Sequence, residues 1–312
     1  MNENRFSYPS QFAILIGSMG LCIIFSGVLV SLLGTQLMHV PFLQVAQALN
    51  RPENANISRF LNTLASLIAF LLPAFILARM LGRKPFTQLG FNTIISLKQV
   101  ALVVLITFCS MVLSGALGEL NEKIPIPATW YAKAKALEDT YKAAMMGMAQ
   151  MKTIGEYLLG LLVLGACPAI FEEVLFRGGF QQVFIGWTKN KWAGIIITSI
   201  FFSAIHFSYF GFLPRAVLGI VLGLVFYYSK NIWLNIFLHF LNNAFVVTQL
   251  YIISRQGKSI SKTMDESMPL WWGAIAIVLL VVFMRPFREE SERITTTSNS
   301  HIINSSPENP LS

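Results

Sequence analysis

The sequence predicts an all-α membrane protein, a polytopic bundle of about eight transmembrane helices. Hydrophobic residues make up 54% of the 312 residues and charged residues only 12%, whereas about a quarter of a soluble domain is usually charged. The apolar residues stand in long continuous runs, and a helix needs roughly 20 of them to cross the lipid core. A transmembrane barrel would instead show alternating apolar and polar residues.

Eight apolar runs are candidate spans, with ends placed at the nearest polar or charged turn. They cover residues 11–34, 59–81, 95–117, 154–176, 192–208, 212–229, 231–253 and 269–286. The first run, FAILIGSMGLCIIFSGVLVSLLG, is longer than the core of a signal peptide and has no strongly basic lead. We therefore interpret it as a retained helix.

The spans divide the chain into four parts. These are the N-terminal helices, a core, a last span and a tail, at residues 1–153, 154–253, 254–288 and 289–312. A loop at 118–152 contains WYAKAKALEDTYKAAMMGMAQM, which predicts a helix with an apolar side. We expect it on the membrane surface or over the mouth of the bundle, with a solvated connector as the alternative. The polar tail is predicted to be disordered.

The net charge, the cysteines and the basic turns indicate which partners and which membrane orientation to expect. The formal net charge is +8, which in a membrane protein favours loops beside anionic lipid headgroups. No nucleic-acid-reading motif is present, so we expect the lipid bilayer and no nucleic acid as partners. Cys22, Cys109 and Cys167 lie in separate spans and are interpreted as small apolar residues. The basic turn RMLGRKPF after the second span favours both termini on the cytoplasmic side of the cell membrane.

Three ionisable residues lie close together at the end of the fourth span, in the apolar stretch CPAIFEEVLFRGGFQQ. Each costs about 2.5–3.5 kcal/mol at the centre of a bilayer unless it is paired, wet or functional. Glu173 and Arg177 are four positions apart, so they share a helix face and can pair. Glu172 is turned by about 100° and has no cation three or four positions away. One glutamate is thus predicted to be structural and the other free, although both could simply tie helices together.

Two further polar clusters lie in later spans. FFSAIHF places His206 one helical turn after Phe202, and NIFLHFLNNAF places Asn235, His239 and Asn243 along one helix face. Single residues of this kind often serve only as interhelical hydrogen bonds. Several of them on three spans favour a polar site within the membrane.

Counting from the polar turns predicts the depth of these groups. Glu172 and His206 each lie roughly 25 Å from the turn GWTKNK, and His239 about 13 Å from the turn SKN, at 1.5 Å per residue. A kink at Pro168 would reduce the difference. A carboxylate and an imidazole at one depth can hold a water, whose proton the carboxylate takes. An imidazole N–H and the Asn243 amide suit a developing oxyanion.

The ordered set Glu172-Glu173-x-x-x-Arg177, Phe202-x-x-x-His206 and His239-x-x-x-Asn243 resembles the CPBP family over residues 154–247. These are the CAAX proteases and bacteriocin-processing enzymes, also called the Abi family, which include the type II CAAX prenyl endopeptidases. The resemblance implies an intramembrane endopeptidase whose catalytic core is 154–253 and whose site lies in a cavity within the membrane. The substrate would be a membrane-associated peptide or protein, prenylated or bearing a leader.

The resemblance also implies roles for single residues. Glu172 would be the general base, His206 would position the water, and His239 with Asn243 would form the oxyanion site. Glu173 and Arg177 would support them.

Three alternatives stay open at this point. A metal-free site is favoured, but Glu172, His206 and His239 could ligate zinc as two histidines and a carboxylate. Intramembrane ionisable residues also mark ion- or proton-coupled transporters, although no repeated pair of broken helices is visible. A non-cleaving immunity or binding protein of the same fold is the third.

Overall fold

The computed structural model describes residues 6–82, 84–149, 151–256 and 268–304, and every regular element in these ranges is helical. Seven helices are long and apolar enough to cross a membrane, which confirms a polytopic helical bundle. They are α1 (Tyr8–Met38), α2 (Ala55–Leu81), α3 (Leu97–Glu122), α5 (Ile154–Thr188), α7 (Phe212–Ser229), α8 (Ile232–Arg255) and α9 (Leu270–Asn304). The other two long helices are α4 (Ala128–Ala149) and α6 (Lys191–Ala204). Short helical turns fill the connections at 42–54 and 85–88.

The fifth predicted span is shorter than expected. Helix α6 ends at Ala204, so it measures about 21 Å where a full span needs about 30 Å. The chain turns there because Phe207 takes a left-handed backbone conformation, with φ of 50°. His206 therefore lies in the turn after α6 and not within a helix as predicted.

Both hairpin turns that frame α6 and α7 are built in the same way. Lys189 and Lys230 are left-handed and end the helices before them. Asn190 and Asn231 then accept hydrogen bonds from backbone N–H groups of the following first turn. Such caps satisfy N–H groups that the helix itself leaves free, so the polar turns predicted from GWTKNK and SKN form compact helix-to-helix connections.

Helix α5 is not a regular α-helix around the glutamate pair. π-helical segments at Leu161–Ala166 and Val174–Gln181 flank the α-helical stretch Cys167–Glu173. Single π turns are frequent at functional sites. The predicted disturbance at Pro168 is thus present as a change of helix type, without a break in the span.

Close packing of α6 against α7 depends on glycine. A Cβ on Gly219 would lie 3.0 Å from Ser199 Cβ, and one on Gly223 would lie 2.7 Å from Ile195 Cγ2. Small residues of this kind allow membrane helices to approach closely. The approach brings the backbone carbonyls of α7 within reach of the polar residues of α5.

The tail differs from its prediction. Helix α9 continues to Asn304, so residues 289–304 are helical where disorder was predicted, and 305–312 lie outside the described residues. Ion pairs between Arg285 and Glu289 and between Arg288 and Glu292 connect successive turns. Gln99 of α3 also donates to Ser291 at 3.0 Å. Contacts with α3 and pairing along the helix outweigh the low-complexity composition.

Candidate active site

Glu173 lies at the centre of a buried hydrogen-bonded cluster between α5 and α8. Its Oε1 accepts hydrogen bonds from Arg177 Nη1 at 3.2 Å and from His239 Nδ1 at 2.9 Å. Its Oε2 accepts one from Asn235 Nδ2 at 3.2 Å. The side chains of Glu173 and Arg177 are both 0% exposed, so the predicted pairing of these two residues is confirmed.

The same cluster is tied to α7 through backbone carbonyls. Arg177 Nη2 donates to the carbonyl of Gly219 at 3.0 Å, and Asn235 Nδ2 donates to that of Leu222 at 2.7 Å. Arg177 Nε and Asn235 Oδ1 are buried without a hydrogen-bonding partner. The cluster therefore holds α5, α7 and α8 in a fixed arrangement. Removing either Glu173 or Arg177 would lower the free energy of unfolding, because the other residue would remain as an unpaired buried charge.

Phe202 of α6 separates the cluster from the turn that carries His206. The Arg177 guanidinium lies 5.0 Å from the centre of its ring. The rings of His206 and His239 meet it edge-on, at centroid distances of 5.1 and 6.0 Å. An aromatic residue one turn before His206 thus packs against a cation and both imidazoles.

Glu172 points away from this cluster. Its side chain is 13% exposed and lines a cavity of about 410 Å³. It forms no hydrogen bond with any described residue, and its nearest cationic partner is His239 Nε2 at 3.9 Å. One water molecule at about 2.8 Å from each atom can contact both. The two adjacent glutamates therefore differ as the helical spacing predicted: one is paired and the other is free.

The cavity collects residues from six helices or their adjoining turns. Helices α2, α4, α5 and α7 line it, together with Phe202, His206 and the inner face of α8. Helix α4 contributes Tyr141, Met145 and Met148. Its position is fixed by Arg59 Nε, which donates to the carbonyl of Met148 at 2.9 Å. Helix α4, within the predicted 118–152 loop, therefore forms part of the cavity wall.

The turn at 205–211 is stabilised by polar residues from outside α6. Asn121 of α3 donates to the carbonyl of Tyr209 at 2.8 Å and accepts from the N–H of Leu213 at 2.9 Å. Ser208 donates to Glu138 of α4 at 2.6 Å. Irregular backbone is tolerated at membrane depth where protein surrounds it. These contacts hold His206 at the cavity wall.

Both histidines use Nδ1 as a donor. His206 Nδ1 lies 2.8 Å from the carbonyl of Phe202, and His239 Nδ1 lies 2.9 Å from the carboxylate of Glu173. Since these oxygens only accept, each neutral ring carries its proton on Nδ1 and a lone pair on Nε2. The sequence argument assigned an imidazole N–H to the oxyanion; at His239 this requires the doubly protonated ring, with Glu173 as its partner.

Asn243 lines the cavity on the same helix as Asn235 and His239. Its Nδ2 donates to the carbonyl of Gly165 at 3.5 Å, a long hydrogen bond, and its Oδ1 accepts from Asn242 Nδ2 at 3.3 Å. The two asparagines on the predicted common face of α8 therefore lie in different environments. Asn235 belongs to the buried cluster, whereas Asn243 is held loosely at the cavity and can turn its amide to a ligand.

The predicted difference in depth between the glutamates and His239 is wrong. His239 lies within hydrogen-bonding distance of Glu173. The count assumed an α-helical rise through the whole fourth span, but Val174–Gln181 is π-helical, and hydrogen bonds from i to i+5 place more residues in each turn. This change in rise accounts for only a small part of the predicted difference. The count also assumed that the two turns, GWTKNK and SKN, lie at one depth.

Zinc requires the three candidate ligands Glu172, His206 and His239 to converge on one point. In the described ranges, no group of three His, Cys, Asp or Glu side chains is arranged to hold a metal ion. No chemical step below is therefore assigned to a metal.

Several cavity residues were missed by the sequence analysis, and two of them lie beside predicted site residues or carry a charge. Arg215 in the first turn of α7 and Asn242 beside Asn243 both line the cavity. Arg215 carried a usable signal, because an arginine inside an apolar span is a functional candidate by default. Asn242 carried none beyond its neighbour.

Comparison with known proteins agrees with the geometry. A family model described as "Type II CAAX prenyl endopeptidase Rce1-like" matches residues 154–245, a range that contains Glu172, Glu173, His206, His239 and Asn243. Neither a curated protein nor a solved structure matches the chain. The resemblance inferred from the three motifs is confirmed: over residues 154–245, a little under a third of its length, this multi-pass membrane protein is similar to the Rce1-like type II CAAX prenyl endopeptidases.

Proposed function

We propose that this protein is an intramembrane endopeptidase that hydrolyses a peptide bond of a membrane-associated substrate with water activated by Glu172. The single observation that carries the proposal is the free carboxylate of Glu172 in a cavity shared with His206, His239 and Asn243. The similarity of residues 154–245 to CAAX prenyl endopeptidases supports a prenylated substrate. A leader-bearing peptide is the other substrate class.

Hydrolysis would begin at the carboxylate of Glu172. It takes a proton from water while the water oxygen adds to the scissile carbonyl carbon. His206 Nε2, a lone-pair acceptor in the neutral ring, holds the second hydrogen of that water. The carbonyl oxygen becomes an oxyanion, to which the Asn243 amide and a protonated His239 donate. Glu172 then passes its proton to the amide nitrogen as the C–N bond breaks.

Glu173 and Arg177 act through His239 in this proposal. The Glu173 carboxylate accepts from His239 Nδ1, which fixes the ring orientation and stabilises the positive charge on the protonated ring. Arg177 holds the carboxylate in place through their ion pair. Both are positioning residues, because neither reaches the cavity.

In this proposal the cavity binds only the peptide part of the substrate, and the lipid bilayer holds the prenyl group. The cavity of about 410 Å³ lies at the small end of the range for ligand pockets. It has room for a short peptide segment, not for a folded chain. A prenyl group would remain in the lipid between the spans, so the bilayer is a partner in binding. No nucleic acid takes part.

We further propose that both termini face the cytoplasm. Basic and aromatic residues meet at the end of the bundle that carries the α5–α6 and α7–α8 turns: Lys189 lies over Tyr8 and Lys230 over Tyr227. Cationic residues are enriched on the cytoplasmic side, and aromatic ones at the interface. A single cysteine at Asn190 should react with an impermeant thiol reagent only after the cells are opened.

The proposal is tested with purified protein in liposomes and a farnesylated peptide that ends in a CAAX sequence. Mass spectrometry should detect a new C-terminal fragment with wild-type protein and none with Glu172→Gln. Comparative proteomics of membranes from cells that carry either form would then identify natural substrates. Cleavage by Glu172→Gln at the wild-type rate would refute the assignment.

The same assay separates the remaining alternatives. A metal-free enzyme retains full activity after exhaustive chelation. Stoichiometric zinc that is lost in His206→Ala and His239→Ala, with activity restored by added zinc, would instead establish the metal mechanism. A transporter would show ion flux and no new peptide fragment, and a binding protein would retain the peptide uncut.

A further inference from the structure

Arg215 is a cation in the proposed catalytic cavity with no partner there. It lies in the first turn of α7 and lines the cavity with Glu172, His206 and Asn243. It is the only lysine or arginine among the described residues that line this cavity. Its side chain forms no ion pair and no hydrogen bond with any described residue, and its Nη1 is buried without an acceptor.

The guanidinium is held in place without being neutralised. It lies over the ring of Tyr141, with its carbon 5.2 Å from the centroid. It also lies against the backbone of Gly211, where an added Cβ would come within 2.3 Å of Nη1 and 2.7 Å of Nη2. Stacking and close packing orient the group, yet they contribute no negative charge. A buried donor such as Nη1, which has no acceptor, costs free energy unless a ligand supplies one.

The chemistry of guanidinium identifies the class of anion. Its planar fork of donors matches the two oxygens of a carboxylate, which it binds in a bidentate manner. An endopeptidase that cuts inside a CAAX sequence breaks a bond at most three residues from the chain end. Three extended residues cover about 10 Å. A terminal carboxylate is therefore always near the reacting carbonyl in such a substrate.

Arg215 and His206 stand at the two ends of one short turn. Ser203 before the turn donates to the carbonyl of Phe212 after it, at 2.7 Å. This bond ties the end of α6 to the start of α7. The fold thus sets the distance between His206 and the guanidinium of Arg215. A fixed distance is required if the enzyme is to cleave at a fixed number of residues from the C-terminus of its substrate.

We propose that Arg215 binds the terminal carboxylate of the substrate and so selects bonds a fixed distance from a free C-terminus. The inference rests on the proposed function, since it names a binding subsite of that enzyme. It assigns to Arg215 a role in specificity and none in the chemical step. Gly211 belongs to the same subsite because it leaves room for the guanidinium.

The test uses two farnesylated peptides of identical sequence, one with a free C-terminal carboxylate and one with a C-terminal amide. Wild-type protein should cleave the acid with a kcat/KM about tenfold to a hundredfold higher, the range for a hydrogen bond to a charged group. The difference should lie mainly in KM. In Arg215→Gln the ratio of acid to amide should fall to about one, and Arg215→Lys should retain part of it.

Two further variants sharpen the result. Gly211→Ala should also lower the ratio, because the added methyl group displaces the guanidinium. Arg285→Gln, which removes a cation that is 85% exposed on α9, should leave the ratio at the wild-type value. The comparison of acid with amide in wild-type protein needs no variant, so it stands even if Arg215→Gln fails to fold.

The outcomes separate this inference from the function on which it rests. Equal cleavage of acid and amide by wild-type protein overturns the carboxylate subsite and leaves the peptidase proposal intact. An Arg215→Gln variant that loses activity toward both peptides in the same proportion shows a structural role and also overturns it. If wild-type protein cleaves neither peptide and no other substrate, the proposed function fails and the subsite with it.

Discussion

Helix α5 carries two adjacent glutamates, Glu172 and Glu173, on different sides, and the two side chains lie in distinct environments. On the inner side, Glu173 accepts hydrogen bonds from Arg177, Asn235 and His239 and is fully buried. On the cavity side, Glu172 has no hydrogen-bonding partner among the described residues and is partly exposed. Burial and pairing make the first a structural residue. Lack of a partner leaves the second available for reaction.

This difference shows how a membrane protein can keep a reactive carboxylate in place. A free ionisable group is unfavourable at membrane depth, and the cavity around Glu172 is polar only in part. The inner cluster fixes α5, α7 and α8 through bonds to Gly219 and Leu222 carbonyls. A rigid inner side allows the cavity side to hold side chains that would otherwise rotate or pair with one another.

The largest effect should come from exchanging each glutamate for glutamine. Glu172→Gln removes the base and keeps the shape, so the rate of peptide cleavage should fall by about 10²–10⁴-fold with little change in thermal stability. Glu173→Gln should destabilise the fold by about 3–5 kcal/mol, because Arg177 is left as an unpaired buried charge. Rates in liposomes and unfolding midpoints in detergent measure the two effects.

The glutamate comparison would break if the effects were exchanged. A Glu173→Gln protein of normal stability and no activity would place the reactive carboxylate on the inner side. A Glu172→Gln protein that unfolds early would mean that the cavity-side glutamate carries a structural contact.

A second contrast uses two asparagines of α8, on the inner side and at the cavity. Asn243→Ala removes a donor to the oxyanion, so kcat should fall by about 10²–10³-fold while KM stays nearly constant. Asn243→Asp should be equally poor, since a carboxylate accepts where a donor is needed. Asn235→Ala should instead lower stability by about 1–3 kcal/mol, as the Leu222 carbonyl and Glu173 each lose a donor.

Steady-state kinetics on one farnesylated peptide measures the asparagine contrast. A rise in KM with unchanged kcat in Asn243→Ala would show that Asn243 binds the ground state. The oxyanion role would then rest on His239 alone or pass to another amide at the cavity, such as Asn242.

The spacing of residues along the helices predicted many features of the buried cluster around Glu173 and of the cavity around Glu172. The four-residue separation of Glu173 and Arg177 gave their ion pair, and the 100° offset placed Glu172 on another face. The four-residue repeat of Asn235, His239 and Asn243 gave their common face. Each of the eight apolar runs forms a helix over most of its length, although the fifth leaves the helix at Ala204. These features depend on helical periodicity alone, which a sequence displays directly.

Features that depend on contacts between distant residues were missed. The bond from His239 to Glu173 joins residues 66 positions apart, which no local pattern predicted. The end of α6 depends on a left-handed Phe207, a conformation that bulky residues rarely adopt. Helical structure in the tail depends on packing of α9 against α3. In each case tertiary structure outweighed the local preference that the prediction used.

The smallest effect should come from the glycine that joins the inner cluster to α7. A methyl group on Gly219 would lie 3.0 Å from Ser199 Cβ and 3.1 Å from its Cα, so α6 and α7 must separate slightly. The Gly219 carbonyl, 3.0 Å from Arg177 Nη2, would shift with α7. We expect Gly219→Ala to lower stability by about 1–3 kcal/mol, the usual cost of overpacking. Its loss of activity should be smaller than that of Glu172→Gln or Asn243→Ala.

Gly20→Ala is the matched control, because nothing lies within 4 Å of its added methyl group and alanine favours the helix. Gly20→Ala should match or exceed wild-type stability. Equal unfolding midpoints for the two variants would show that the inner side tolerates displacement, and rigidity there would no longer explain how Glu172 is held.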